Sequence, residues 1–227
     1  MKNTGVFENK VSSKKEWFVA WNAAWQDRFF RAQCAFTLPL LLLVLYSLSN
    51  FLDAIEKRPG VLLPDPILSL FEAYDITWLT FGVIYGALIL GLATLSYHPP
   101  QLLLAIQAYI ILVIIRIGMM YAVPLDAPQG IIPLKDPFVQ FLGTGTVLTK
   151  DLFFSGHTST LTLLFLTAKR RYLRIIFMAG AVIVGAGLVW QHVHYVVDVL
   201  VAPFFSYLSY RVALLIYEKL EIARNKR

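Results

Sequence analysis

The sequence predicts an all-α membrane protein, a bundle of six transmembrane helices with an N-terminal interfacial helix. Of the 227 residues, 58% are hydrophobic and 15% are charged, whereas a soluble domain has about 45–50% apolar and about 25% charged residues. The mean hydropathy is +0.65. Several apolar runs approach the roughly 20 residues that a helix needs to cross a bilayer. The single cysteine, Cys34, excludes a disulfide scaffold.

Six apolar segments are the predicted spans, and charged or helix-breaking residues bound them. They are residues 29–51, 78–97, 102–123, 153–168, 172–190 and 196–217. Pro99 and Pro100 close the second span, because proline cannot continue a helix. The glycines at 180, 185 and 187 predict close helix contacts in the fifth span. We therefore divide the chain into an amphipathic segment (1–31), a six-span catalytic membrane domain (32–217) and a basic tail (218–227).

The Lys and Arg residues predict the orientation of the bundle, since flanks rich in cations stay in the cytoplasm. With a cytoplasmic N-terminus, fifteen of the twenty cations lie on the cytoplasmic side. The exceptions are Lys57, Arg58, Arg116, Lys135 and Lys150. Both termini are then cytoplasmic, and this topology explains the net charge of +6 without a nucleic-acid partner. Short loops favour a bacterial inner membrane, although an organelle membrane fits the charge bias equally well.

A tryptophan stripe marks the N-terminal segment. Trp17, Trp21 and Trp25 recur every four residues, so their indoles share one face of a helix. Tryptophan is favoured at membrane interfaces, which predicts a helix lying on the cytoplasmic membrane surface. A cytosolic helix that packs on the bundle is the alternative.

Polar residues that are costly in a membrane gather at one predicted depth. They stand at the outer ends of the third, fourth and sixth spans. They are Arg116, Asp151, Ser155, Gly156, His157, His192, His194, Tyr195 and Asp198. Residues so far apart in sequence, placed at one level, predict a common site.

Two histidines carry the predicted chemistry. His194 and Asp198 are four residues apart, so on a helix the carboxylate can accept the Nδ1 proton and leave Nε2 to attack an electrophile. His157 follows Ser155-Gly156 at a helix start, where backbone N–H groups can hold an anion. It can act as a general acid. With the planar fork of Arg116, which suits phosphate oxygens, the set predicts a phosphoryl-transfer site without a metal.

Simpler interpretations stay open for each group. The pair His194 and Asp198 could form a structural hydrogen bond, and Arg116 could extend to the interface. A zinc site from His157, His192, His194 and Asp198 is conceivable, but two histidines that are two residues apart diverge on a helix.

These motifs resemble the type 2 phosphatidic acid phosphatase superfamily. Ser155-Gly156-His157 and His194-x-x-x-Asp198 look like its last two motifs, and the likeness is closest to the sphingomyelin synthase branch. DLFFSGHTSTLTL, HVHYVVDVLVA and RIGMMYAVPLDAP are similar to three motifs of that branch, and RPGVLLPD is a weak echo of a fourth. Six spans are also what the branch has.

The resemblance implies a metal-independent transferase without a cofactor. A phospho-headgroup would pass from a glycerophospholipid donor to ceramide or a diacylglycerol-type lipid alcohol through a phosphohistidine. His157, His194 and Asp198 would be catalytic, and Arg116, Ser155 and Gly156 would bind phosphate on the periplasmic or lumenal face. Asp151, His192 and Tyr195 would support them.

Departures from the lipid phosphatases weigh on the choice of reaction. Where those enzymes carry the Lys of one motif and the Ser-Arg of another, this chain has Phe51, Gly187 and Leu188. Hydrolysis of phosphatidate is therefore less favoured, and a lipid phosphatase or phospholipase C-like hydrolase is the alternative. A third interpretation is a non-catalytic lipid-binding or channel-forming bundle. The presence of His157, His194 and Asp198 together argues against it.

Overall fold

The computed structural model describes residues 5–135 and 147–225, and these ranges fold into α-helices joined by loops. The seven α-helices found there are α1 (Gly5–Gln26), α2 (Arg28–Glu56), α3 (Thr77–Leu95), α4 (Pro99–Ala122), α5 (Gly156–Thr167), α6 (Arg171–Trp190) and α7 (Val196–Asn225). The predicted all-α membrane fold is confirmed. Residues 1–4 and 226–227, at the ends of the predicted N-terminal segment and basic tail, lie outside the described residues.

Five of these helices, α2, α3, α4, α6 and α7, are long and apolar enough to cross a membrane. The predicted fourth span is shorter than the sequence suggested, because α5 has only 12 residues. At 1.5 Å per residue it is about 18 Å long, against a hydrocarbon core of about 30 Å. Residues 153–155 are not helical, and the buried side chains of Leu152 and Phe154 show that the chain enters the bundle before α5 begins.

Helix α5 lies at the centre of the bundle. On one side Leu161 and Leu164 join the apolar core formed by α3 and α6. On another side Leu163 packs with Phe154 against α4 and α7. Helix α2 packs on α4 through Val44. The start of α5 is therefore fixed by contacts from its neighbours.

Local sequence signals explain where the helices begin and pack. Pro99 and Pro100 occupy the first turn of α4, where the missing N–H costs nothing, so the third span starts earlier than residue 102. The predicted close contacts of the glycines are confirmed in α6. A Cβ on Gly185 would lie 2.7 Å from Val199, and one on Gly187 would lie 2.9 Å from Ile76.

The tryptophan face of α1 contacts the bundle. Trp21 donates from Nε1 to the carbonyl of Ser96 at 2.8 Å, and Trp21 and Trp25 both pack edge-on against Phe30. Trp25 nevertheless remains 46% exposed. The helix thus packs on the bundle, as the alternative interpretation expected, while its place at the membrane surface remains a prediction.

Candidate active site

The candidate site lies where the C-terminal end of α4 meets the starts of α5 and α7. Loops cover this end of the bundle. Val61 donates to the carbonyl of Pro124 at 2.9 Å and Asp126 donates to the carbonyl of Val61 at 3.0 Å. Lys150 joins the same loops, because its Nζ lies 2.7 Å from Asp126 Oδ1 and donates to the carbonyl of Arg58. The loops therefore form one hydrogen-bonded cover over the helix ends.

Arg116 lies beneath this cover, against the start of α5. It stands six residues before the end of α4, which at 1.5 Å per residue is about 9 Å inside the helix end. Its Nε donates to the carbonyl of Phe154 at 3.0 Å, and its Nη2 pairs with Asp151 Oδ1 at 2.5 Å. A Cβ on Gly156 would lie 2.7 Å from the guanidinium carbon. The cation therefore rests directly on the first residue of α5.

The start of α5 is capped from within. Ser155 is the N-cap residue and is fully buried, and its hydroxyl accepts a hydrogen bond from the Thr158 N–H. A helix N-terminus carries partial positive charge. Together with the Arg116 guanidinium it makes one electropositive locus, and His157 is the second residue of this helix.

His194 and Asp198 meet as predicted, but for a different reason. His194 precedes α7, which begins at Val196, so the pair does not lie on one helix face. Asp198 instead turns back over the first turn. Its Oδ2 accepts the Tyr195 N–H at 3.2 Å and lies 3.2 Å from His194 Nδ1, in the manner of a capping box. Both side chains are buried, which leaves the imidazole held by a carboxylate.

A backbone hydrogen bond joins the two parts of the site, and an ionised carboxylate lies beside it. The Ser155 N–H donates to the carbonyl of Asp198 at 3.1 Å, which links the starts of α5 and α7. Burial raises the pKa of the Asp151 carboxyl. The opposite effect of Arg116, with smaller contributions from His194 and His157, is larger, so the pKa lies below the usual 3.8. Asp151 is thus ionised beside Arg116 at the start of α5.

Tyr195 and His192 support the cover over the site. The Tyr195 hydroxyl donates to the carbonyl of Asp126 at 2.9 Å and accepts from the Leu63 N–H. His192 adopts a positive φ of 55°, and its Nδ1 lies 3.1 Å from the carbonyl of Gln129. These contacts hold the loops against the start of α7. Within residues 5–135 and 147–225, no three His, Cys, Asp or Glu side chains converge as metal ligands, so the geometry gives the zinc alternative no support.

Asp65 is a structural residue that the sequence reasoning did not single out. Its Oδ2 accepts the Val196 N–H at 2.9 Å, and its Oδ1 accepts the N–H of Ile67. It therefore caps α7 from a loop more than a hundred residues earlier in the chain. The weak similarity of RPGVLLPD to a family motif was the sequence signal that included Asp65.

Gly156→Ala should reduce activity much more than stability. The new methyl group would meet the end of the Arg116 side chain and move it, and a displacement of about 1 Å at a reacting site costs about 10²-fold in rate. Gly118→Ala is the matched control, because a Cβ at Gly118 has no neighbour within 4 Å. Initial rates of lipid turnover and thermal unfolding in detergent measure both effects. Equal rates for the two variants would contradict the placement of Arg116.

The lowered pKa of Asp151 predicts a pH-dependent stability. A carboxyl whose pKa is depressed in the folded state stabilises the protein above its unfolded pKa of 3.8 and loses that contribution as the pH falls through the folded value. We expect thermal unfolding in detergent to show this loss below 3.8 in the wild type. Asp151→Asn should lack that component. An identical acid profile in both proteins would refute the ion pair with Arg116.

One comparison with known proteins finds a similar family. Residues 150–215 match the family described as PAP2 superfamily C-terminal, a stretch that holds α5, α6 and most of α7 together with His157, His194 and Asp198. No curated protein matches the chain. Through residues 150–215 the chain is similar to the type 2 phosphatidic acid phosphatase superfamily, and this match supports an activity of the general lipid phosphatase or phosphotransferase type.

Proposed function

We propose that this protein is a sphingomyelin synthase-like transferase that moves a phospho-headgroup from a glycerophospholipid to ceramide or a similar lipid alcohol. The observation that carries the proposal is the buried pair of His194 and Asp198. It is joined by the Ser155–Asp198 backbone hydrogen bond to the electropositive start of α5. A candidate nucleophile and an anion-binding locus are thus connected through one hydrogen bond.

In the first step the donor phosphate binds between Arg116 and the N-terminus of α5. Nε and Nη2 of Arg116 are already used by Phe154 and Asp151, whereas Nη1 lies over Gly156. Charge-assisted hydrogen bonds from guanidinium and backbone N–H groups suit phosphate oxygens. The same donors stabilise the negative charge that grows on these oxygens in the transition state.

His194 is the proposed nucleophile. Its Nδ1–H donates to Asp198, which leaves the Nε2 lone pair to form a bond to phosphorus. The bond from phosphorus to the diacylglycerol oxygen breaks, and His157 gives its proton to that oxygen. Asp198 is fully buried, and its Oδ1 has no hydrogen-bond partner among the described residues. Its negative charge therefore compensates the positive charge that develops on His194.

The second half-reaction regenerates the site. His157, now a base, removes the proton of the acceptor hydroxyl as that oxygen attacks phosphorus. The bond between phosphorus and His194 breaks, and the headgroup leaves on the new lipid. Each step is an in-line displacement that depends on positioning and on fixed positive charge.

The choice of transfer over phosphatidate hydrolysis rests on three positions without a cation. Leu188 is fully buried in the core of α3 and α6, Gly187 packs on Ile76, and Phe51 packs on the α2–α4 contact. Phe51 stands where the phosphatase motif has a Lys, and Gly187 and Leu188 stand where another motif has Ser-Arg. The replacement of the Lys and the Arg by apolar residues removes two of the groups that would bind a phosphate monoester.

We also propose that both termini are cytoplasmic, that residues 1–31 lie at the membrane interface, and that the site faces the periplasm of a bacterial inner membrane. The excess of Lys and Arg at the opposite end supports this orientation. Cysteine labelling of residues in the 57–76 loop of intact cells, with a membrane-impermeant reagent, tests it. Protection of that loop would reverse the assignment.

The deciding experiment reconstitutes the purified protein in liposomes. The donors are headgroup-labelled phosphatidylcholine, phosphatidylethanolamine and phosphatidylinositol, each with and without ceramide. We expect a labelled sphingophospholipid that forms only when ceramide is present. Release of a water-soluble phosphorylated headgroup without ceramide, or of free phosphate from phosphatidate, would favour the hydrolase instead.

A further inference from the structure

A cavity opens at the end of the bundle opposite the proposed active site, between the ends of α3 and α5 and the start of α6. This basal cavity holds about 430 Å³, within the size range of small-ligand pockets. Its floor includes the buried side chains of Leu95, Leu164 and Phe177. Helix α5 begins at the proposed active site and ends at this cavity.

The rim of the basal cavity is charged. Lys169, Arg170 and His98 line it together with Glu16 of α1. Burial, together with the charges of Lys169 and Arg170, lowers the pKa of His98 below its usual 6.5, so this imidazole is neutral at pH 7. The lining residues include two cations and one carboxylate, and Arg174 bonds to the lining residue Ala168, so the rim carries a net positive charge.

The cations at this rim are not needed to cap the neighbouring helix. The Ala168 carbonyl at the C-terminal end of α5 already accepts a hydrogen bond from Arg174 Nε at 2.8 Å. The Arg170 guanidinium instead lies over the ring of Tyr172, 6.0 Å from its centre. This arrangement holds the positive charge at the mouth of a cavity with an apolar floor.

We propose that the basal cavity binds a monoanionic phospholipid of the leaflet opposite the active site. An acyl chain would lie on the floor of Leu95, Leu164 and Phe177, and the phosphodiester would pair with Lys169 and Arg170. The net positive rim favours a lipid with a net charge of −1, such as phosphatidylglycerol, over a zwitterionic lipid.

The test measures lipid binding to the purified full-length protein in detergent by native mass spectrometry. The probes are phosphatidylglycerol, phosphatidylethanolamine and phosphatidylcholine, with glycerol phosphate as a soluble competitor. The variant is Lys169→Gln with Arg170→Gln. Arg171→Gln is the matched control, because Arg171 is the next residue in sequence, is exposed and does not line the cavity. Binding at the active site is common to all variants, so differences between them report the basal cavity.

We expect the double variant to weaken phosphatidylglycerol binding about thirtyfold, from the loss of two cations near an anionic headgroup. Arg171→Gln should leave it unchanged. If the double variant does not fold, Lys169→Gln alone should weaken binding about fivefold. The proposal would be overturned by equal losses in the double variant and the control, or by equal affinity for the zwitterionic lipids. Displacement by glycerol phosphate would also overturn it, by identifying a soluble phosphate as the ligand.

Discussion

His194→Ala is expected to abolish both headgroup transfer and any hydrolysis, with a loss of about 10⁴-fold or more, since the proposed mechanism passes through a bond between His194 Nε2 and phosphorus. The side chain is buried beside Asp198, so the variant must also be shown to fold. Thermal unfolding in detergent and the elution volume on gel filtration serve for this. Full activity in a folded His194→Ala variant would refute the mechanism.

Asp198→Asn distinguishes a nucleophile from a structural hydrogen bond. An amide keeps the size of the side chain but no longer fixes the imidazole tautomer or compensates its charge, and we expect a rate loss of about 10²–10⁴-fold. Rapid-quench experiments with a headgroup-labelled donor should trap acid-labile label on the wild type, more slowly on Asp198→Asn, and none on His194→Ala. Label that persists on His194→Ala would place the intermediate elsewhere.

The second large effect is expected at Arg116. Arg116→Lys keeps the charge but loses the planar fork, and we expect transfer to fall about 10²-fold with a small change in stability. Arg116→Leu should cost more, because it leaves the Asp151 carboxylate without its partner. Removing one member of a fully buried ion pair destabilises a protein by about 3–5 kcal/mol, and the cost here should be smaller because the Asp151 side chain is 27% exposed. Thermal unfolding and initial rates separate the two effects.

A double-mutant cycle assigns these losses. Arg116→Leu combined with Asp151→Leu removes both charges and should recover most of the stability lost in the single Arg116 variant. It should recover none of the activity, because the phosphate has still lost its cation. Activity restored in the double variant would show that Arg116 serves only to neutralise Asp151.

The long helices were predictable because apolar runs and prolines mark their limits directly. The start of α5 was predicted less sharply, since the apolar run begins at residue 153 whereas Ser155-Gly156 indicated the helix start that the structure has. The backbone of residues 153–155 is shaped by tertiary contacts instead. The Phe154 carbonyl accepts from Arg116, and the Ser155 N–H donates to Asp198. Such long-range bonds leave no periodic trace in a sequence.

The candidate site, like the helices, was predicted in part from the sequence. The pairing of His194 with Asp198 was predicted from a spacing of four, yet the structure forms it through the first turn of α7 instead of along a helix face. The ion pair of Arg116 with Asp151 joins residues 35 positions apart. The sequence suggested a common depth for these residues but could not indicate which would touch.

The short central helix has a consequence for how the chain enters a membrane. Helix α5 has 12 residues, and its buried side chains include Thr158, Ser159, Thr162 and Thr167. A segment of that length and polarity gains too little from lipid to insert alone. It must enter as a hairpin with α6, which follows after three residues. Biogenesis therefore depends on the assembly of neighbouring helices around α5, and the hydrogen bonds of Arg116 and Asp198 with residues 154 and 155 form only when that assembly is complete.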